Sequence, residues 1–157
     1  MKDETGNTSA TLINDNINKT GNQPGKFVIE NGKGTRLVVS NCGAAVVSLF
    51  VKDRRGLFSD VVLGYDTPAD YLKDDYYIGT VVGRYANRIL GDTVQINDHL
   101  YKITVKEGGY HHHGGKTGFN KKIFTEELFS DIDRSGVIFR YTSPHLEEGF
   151  PGELQLE

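Results

Sequence analysis

DTVQINDHLYKITV, residues 92–105, decides the fold class. Val94, Ile96, Tyr101, Ile103 and Val105 alternate with polar neighbours at the two-residue period of a half-buried strand. Asn97-Asp98 supplies a tight turn at the centre, so the stretch predicts one β-hairpin. The same texture extends outward in both directions. FVIE, RLVVS, AAVVSLFVKD, DVVLGY, KIFTEELFS, GVIFRYTS and GELQLE are short runs rich in Val, Ile, Phe and Tyr. Turn formers such as Asn31-Gly32, Asp53-Arg54-Arg55-Gly56 and Asp133-Arg134-Ser135-Gly136 separate them. Only PADYLKDD, 68–75, reads as helical, with Pro68 at the first position and Thr67 as the cap. The prediction is an all-β chain with long loops. Its 19 glycines and its strand spacing favour a sandwich over a small barrel.

Residues 1–25 are polar, lack a sustained apolar period and end in Gln23-Pro24-Gly25. They are expected to form a flexible leader with a short strand near Thr11–Ile13, ahead of a domain over 26–157. The N-terminus has no apolar signal-peptide core, and no run approaches the roughly 18 apolar residues of a membrane span. A net charge of -3 gives no reason to expect nucleic acid or an anionic membrane as a partner. The expected location is the cytoplasm, where the Asn7 and Asn18 sequons carry no meaning. The single cysteine, Cys42, sits in the apolar run VVSNCGAAVVSLF and reads as a small core residue. GELQLE, at 152–157, reads as the start of a strand, which makes the chain look like the N-terminal part of a larger sandwich. The edges left unpaired would then favour self-association.

Two stretches carry candidate chemistry. YYIGTVVGRYANRILGD, 76–92, joins an apolar run to Arg84, Asn87 and Arg88. Planar Arg donors beside a short Asn arm suit sugar hydroxyls or carboxylates, although solvent-exposed arginines on a turn would look the same. GYHHHGG, 109–115, holds three of the chain's five histidines. In an extended segment His111 and His113 share a face and His112 points the other way. Adjacent histidines rarely converge on one metal, and further ligands at zinc spacing are missing, so no metal site is expected. A histidine held at the Gly114-Gly115 turn can instead donate a hydrogen bond or transfer a proton near neutral pH; an exposed loop is the plainer alternative. Glu147-Glu148, in SPHLEEGFPGELQLE, raises the thought of paired catalytic carboxylates. Adjacent loop residues cannot easily flank one bond, so a structured loop is expected there.

GTVVGRYANRI, EGGYHHHGGKTGFNKKIF and SPHLEEGFPGELQLE together resemble the aldose 1-epimerases, also called galactose mutarotases, in order and spacing. The resemblance runs from about Lys26 to Glu157. It implies a large β-sandwich, no cofactor, and interconversion of the α and β anomers of free aldohexoses such as galactose and glucose. It also implies that Asn87 and Arg88 bind sugar hydroxyls and that His113 binds the sugar near its reacting end, as a catalytic residue. Two departures stand out in the Asn-x-Leu-His-Gly-Gly pattern: Tyr110 replaces the Asn and His112 the Leu. His112 thereby falls at an apolar support position, and His111 has no implied role. The family's general acid (a second histidine), a hydroxyl-binding aspartate and the general base (a glutamate) fall beyond residue 157, so the chain alone is expected to be nearly inactive. The competing expectations are a non-catalytic carbohydrate-binding or regulatory module, and a hexose-phosphate epimerase.

Overall fold

The run AVVSLFVK forms the longest strand of a five-stranded antiparallel sheet. This computed structural model describes residues 9–13, 23–106, 108–131 and 133–157. The sheet is a simple meander of β1 (Ser9–Ile13), β2 (Lys26–Glu30), β3 (Arg36–Ser40), β4 (Ala45–Lys52) and β5 (Phe58–Asp60), neighbours in that order. A second sheet holds β10 (Thr125–Ser130), β11 (Ser135–Ser143) and β12 (Leu154–Leu156). Between them in sequence lie two small ladders. One pairs β6 (Arg88–Leu90) with β9 (Tyr110–His112), and the other pairs β7 (Thr93–Ile96) with β8 (His99–Lys102). Most of the leader over 1–25 lies outside the described residues; within it, β1 is an edge strand two residues longer than the expected Thr11–Ile13.

Successive strand residues point to opposite faces, so burial of both Phe27 and Val28 means that both faces of the sheet are covered. On one face Val28, Val38 and Val47 pack with Cys42, Ala45 and the fully buried Tyr71 of α1 (Pro68–Tyr71). On the other, Phe27 meets Phe139 of β11 edge-on at 5.6 Å between ring centroids. Cys42 is therefore a core residue, and burial pushes its thiol up to about 11. Asn41 ties the two sheets together. Its Oδ1 accepts from Gly25 N at 2.8 Å, its Nδ2 donates to Glu126 at 3.3 Å, and its carbonyl accepts from Phe124 N at 2.9 Å.

The 92–105 hairpin forms with Val94 opposite Tyr101 and Ile96 opposite His99. Its ladder ends at Lys102, because Thr104 N donates instead to Glu148 O at 3.1 Å and leads the chain toward the histidine turn. GELQLE does contribute a strand, β12, paired with β11. DVVLGY does not. Asp60 closes β5, its carboxylate accepting from Ser48 Oγ, from Leu49 N at 2.9 Å and from Val62 N at 3.1 Å, and the chain turns off the ladder. Thr67 stands at the N-terminus of α1, but its hydroxyl bonds to the Asp70 carboxylate and not to a backbone N–H.

Candidate active site

Strand β9 sorts the three histidines. Arg88 lies opposite His112, Ile89 opposite His111 and Leu90 opposite Tyr110. His111 therefore points inward and is fully buried. Its Nδ1 donates to Thr104 O at 2.7 Å, and its ring stands edge-on to Phe150 at 5.2 Å. This residue pins the loop to the core, a role the sequence reading did not give it. The expectation that His111 and His113 share a face fails. The strand ends at His112, and His113 turns into the left-handed region with φ 47°, followed by Gly114 and Gly115, both at φ 89°. His113 therefore swings beside His112, with ring centroids 4.0 Å apart. His112 is half-buried, with the rings of Tyr77, Tyr110 and His113 packed around it.

Asn87 and His113 hold each other. His113 N donates to Asn87 O at 3.0 Å, and Asn87 N donates to His113 Nδ1 at 3.1 Å. A backbone N–H can only donate, so Nδ1 accepts and the proton of the neutral ring sits on Nε2. His113 thus offers an N–H donor outward. Arg88 is exposed beside this pair, its guanidinium donating to Asn87 Oδ1 at 3.4 Å and lying 5.3 Å above the Tyr110 ring. The three residues that sequence reasoning singled out are therefore brought together. Partial burial, followed by the nearby Arg88 and Lys106 cations, holds the His113 imidazole below its ordinary pKa. His112 is lowered by burial, by His113 and by the same two cations.

Sequence reasoning missed two neighbours. The Tyr77 ring packs 4.7 Å from His113, and Lys106 Nζ donates to the Tyr77 hydroxyl at 2.6 Å. Their spacing in sequence gives no local sign of the contact.

The loop is held from behind. Arg84, a candidate for the site on sequence, is spent on structure. Its guanidinium donates to Ser143 Oγ and O, Pro144 O, Pro151 O and Gly152 O at 2.7–3.1 Å. The two glutamates diverge, as a structured loop requires. Glu147 takes Lys122 at 2.6 Å, the Tyr141 hydroxyl at 2.6 Å and Ser143 Oγ. Glu148 accepts from Lys116 N and Thr117 N at 2.9 Å each, and from the Thr104 and Thr117 hydroxyls, so it braces the residues on both sides of His113. Burial works to raise both carboxyls, but these donors outweigh it and hold both below their usual range.

The sequence model of the aldose 1-epimerase family matches residues 25–157. The chain belongs to the aldose 1-epimerase family. It is 40% identical over 131 residues to galactose mutarotase of Bos taurus, an alignment covering 83% of this chain and 37% of the bovine protein. The crystal structure of galactose 1-epimerase from Lactobacillus acidophilus NCFM superposes with a TM-score of 0.75 at 23% identity, over 96% of this chain and 42% of that one, and shows the shared fold. The aldose epimerase homologue from C. elegans gives a TM-score of 0.68 at 31% identity over 78% of this chain and 37% of that one. The chain thus spans well under half the length of these relatives. Its own departures from the family pattern, Tyr110 and His112, adjoin the candidate residues: Tyr110 lies under Arg88, and the His112 ring is in contact with those of Tyr110 and His113.

Proposed function

We propose that the protein interconverts the α and β anomers of free aldohexoses, galactose and glucose foremost, and that residues 26–157 supply the sugar-holding half of the site. The observation that carries this is the reciprocal bonding of Asn87 and His113, which leaves the His113 Nε2–H outward beside the Arg88 guanidinium. Mutarotation needs a base to take the anomeric hydroxyl proton and an acid to protonate the ring oxygen as C1–O5 breaks. The open aldehyde rotates about C1–C2. The C5 hydroxyl then adds back to the other face and both protons return. Atoms and charge balance, and the reaction is largely acid–base placement, worth about 10²–10⁴-fold per positioned group. Here Asn87 and Arg88 bind hydroxyls, and His113 donates from Nε2 to a sugar oxygen near the reacting end, where negative charge gathers.

By resemblance, the acid and base themselves lie outside residues 26–157, so the chain alone binds the sugar without turning it over at the full rate. A reducing, cytoplasmic setting belongs to the same proposal, with Cys42 buried and protonated. Polarimetry of freshly dissolved α-galactose tests the division of labour. The expected trace follows the spontaneous rate even at high protein concentration, while equilibrium dialysis shows bound sugar. Full enzymatic acceleration by the 157-residue chain would overturn the placement of the acid and base.

A further inference from the structure

Among the described residues, seven that are not glycine adopt positive φ, and three of them meet at one point: Tyr77 (φ 60°), Asn87 (φ 72°) and His113 (φ 47°). Asn and His visit this region with some ease, whereas for a residue as bulky as Tyr it is an outlier that the surroundings must enforce. The surroundings here are the site itself. The Tyr77 ring lies against His113 and stands edge-on to His112 at 5.9 Å. Its hydroxyl is bonded to Lys106 Nζ, which also lies 5.2 Å from the ring centroid. An ammonium has no lone pair, so in this bond the phenol oxygen accepts, and its own O–H is left to donate elsewhere. The backbone strain, the ring packing and the oriented hydroxyl all centre on the His113 imidazole.

We propose that Tyr77 is a further sugar-binding residue, its O–H aimed by Lys106 to donate to an oxygen of the aldohexose held by Asn87, Arg88 and His113. This rests on the sugar-site reading above and adds a donor to it. A tyrosine kept only to pack against His113 would be fully served by phenylalanine, so the hydroxyl is what the test must isolate.

The test titrates D-galactose into the 157-residue chain at pH 7, reading affinity from the Asn87 amide and the His113 ring signals by NMR. Tyr77→Phe keeps the ring and is expected to bind galactose about five- to tenfold more weakly, the range of one lost hydrogen bond, with the sugar-free His113 signals unmoved. Lys106→Met, a second variant that leaves Tyr77 in place, is expected to weaken binding in the same direction and to raise the pH at which His113 titrates. Affinities within twofold of wild type in both variants would overturn the assignment of Tyr77 and leave the sugar site standing. Failure of the wild-type Asn87 and His113 signals to respond to galactose would overturn both readings together.

Discussion

His113 can serve as a single, directed donor because its other nitrogen is occupied by the Asn87 N–H. That holds only while the ring is neutral. Burial first, and then Arg88 and Lys106, lower the His113 pKa, so the ring stays neutral at pH 7 and through the range just below it. Galactose binding should be flat from pH 8 to 7 and decline as the pH falls below the ordinary imidazole value of about 6.5. An equilibrium titration series across pH checks this, and binding that strengthens on acidification contradicts it. The neighbouring arginines differ in their surroundings. Arg88 is exposed beside Asn87. Arg84 looked equivalent, but its acceptors come from residues 59 to 68 positions downstream, which no local pattern reports. Arg84→Met should cost about 2–3 kcal/mol of stability by stranding those carbonyls, read as a lower urea midpoint.

The turn after β9 shows which part of an element the sequence specifies. Gly114 is required twice over: its φ is 89°, and a Cβ there would strike Gly83 O and come within 3.1 Å of Gly118 Cα. Gly114→Ala should lower stability by at least about 2 kcal/mol, with loss of the Asn87–His113 cross-signals in NMR. Most strands were readable from alternation, since their faces are buried or open at period two. DVVLGY failed because Asp60, a side chain and not a hydrophobic pattern, ends the ladder. The alternation argument misplaced His113 because a positive φ breaks the period. The glutamates behind the turn bring their own pH dependence. Both folded pKa values are depressed, so their stabilisation is present above the unfolded value of about 4.3 and is lost as the pH falls through the lower, folded value. Acid unfolding of Glu148→Gln should therefore be shallower below pH 4.3 than that of wild type, starting from a lower stability at pH 7.

At the scale of the molecule, the sheets leave apolar residues uncovered. Beside β5, which is paired on one side only among the described residues, Leu57, Val61 and Leu63 are 57, 59 and 75% exposed, and Leu63 borders a cleft of about 400 Å³ over Val28, Val38 and Val47. Among the described residues no helix is long and apolar enough to cross a membrane. We expect this edge to drive self-association, because an unpaired strand flanked by exposed aliphatics is a template for another copy. Sedimentation velocity should show species heavier than 17.4 kDa growing with concentration, reduced by Val61→Lys. A monomer at every concentration contradicts it. The architecture was legible in outline from strand texture. The pairing of two sheets through Asn41 and Phe27 was not, because those contacts join residues far apart in sequence.

The sugar site stands or falls on whether galactose engages the Asn87–His113 pair. The direct measurement is an NMR titration of the wild-type chain with D-galactose at pH 7, following the His113 Cε1–H and the Asn87 amide. Saturable movement of both, absent in His113→Ala, is the expected result. Unmoved signals at millimolar excess of sugar would contradict the site.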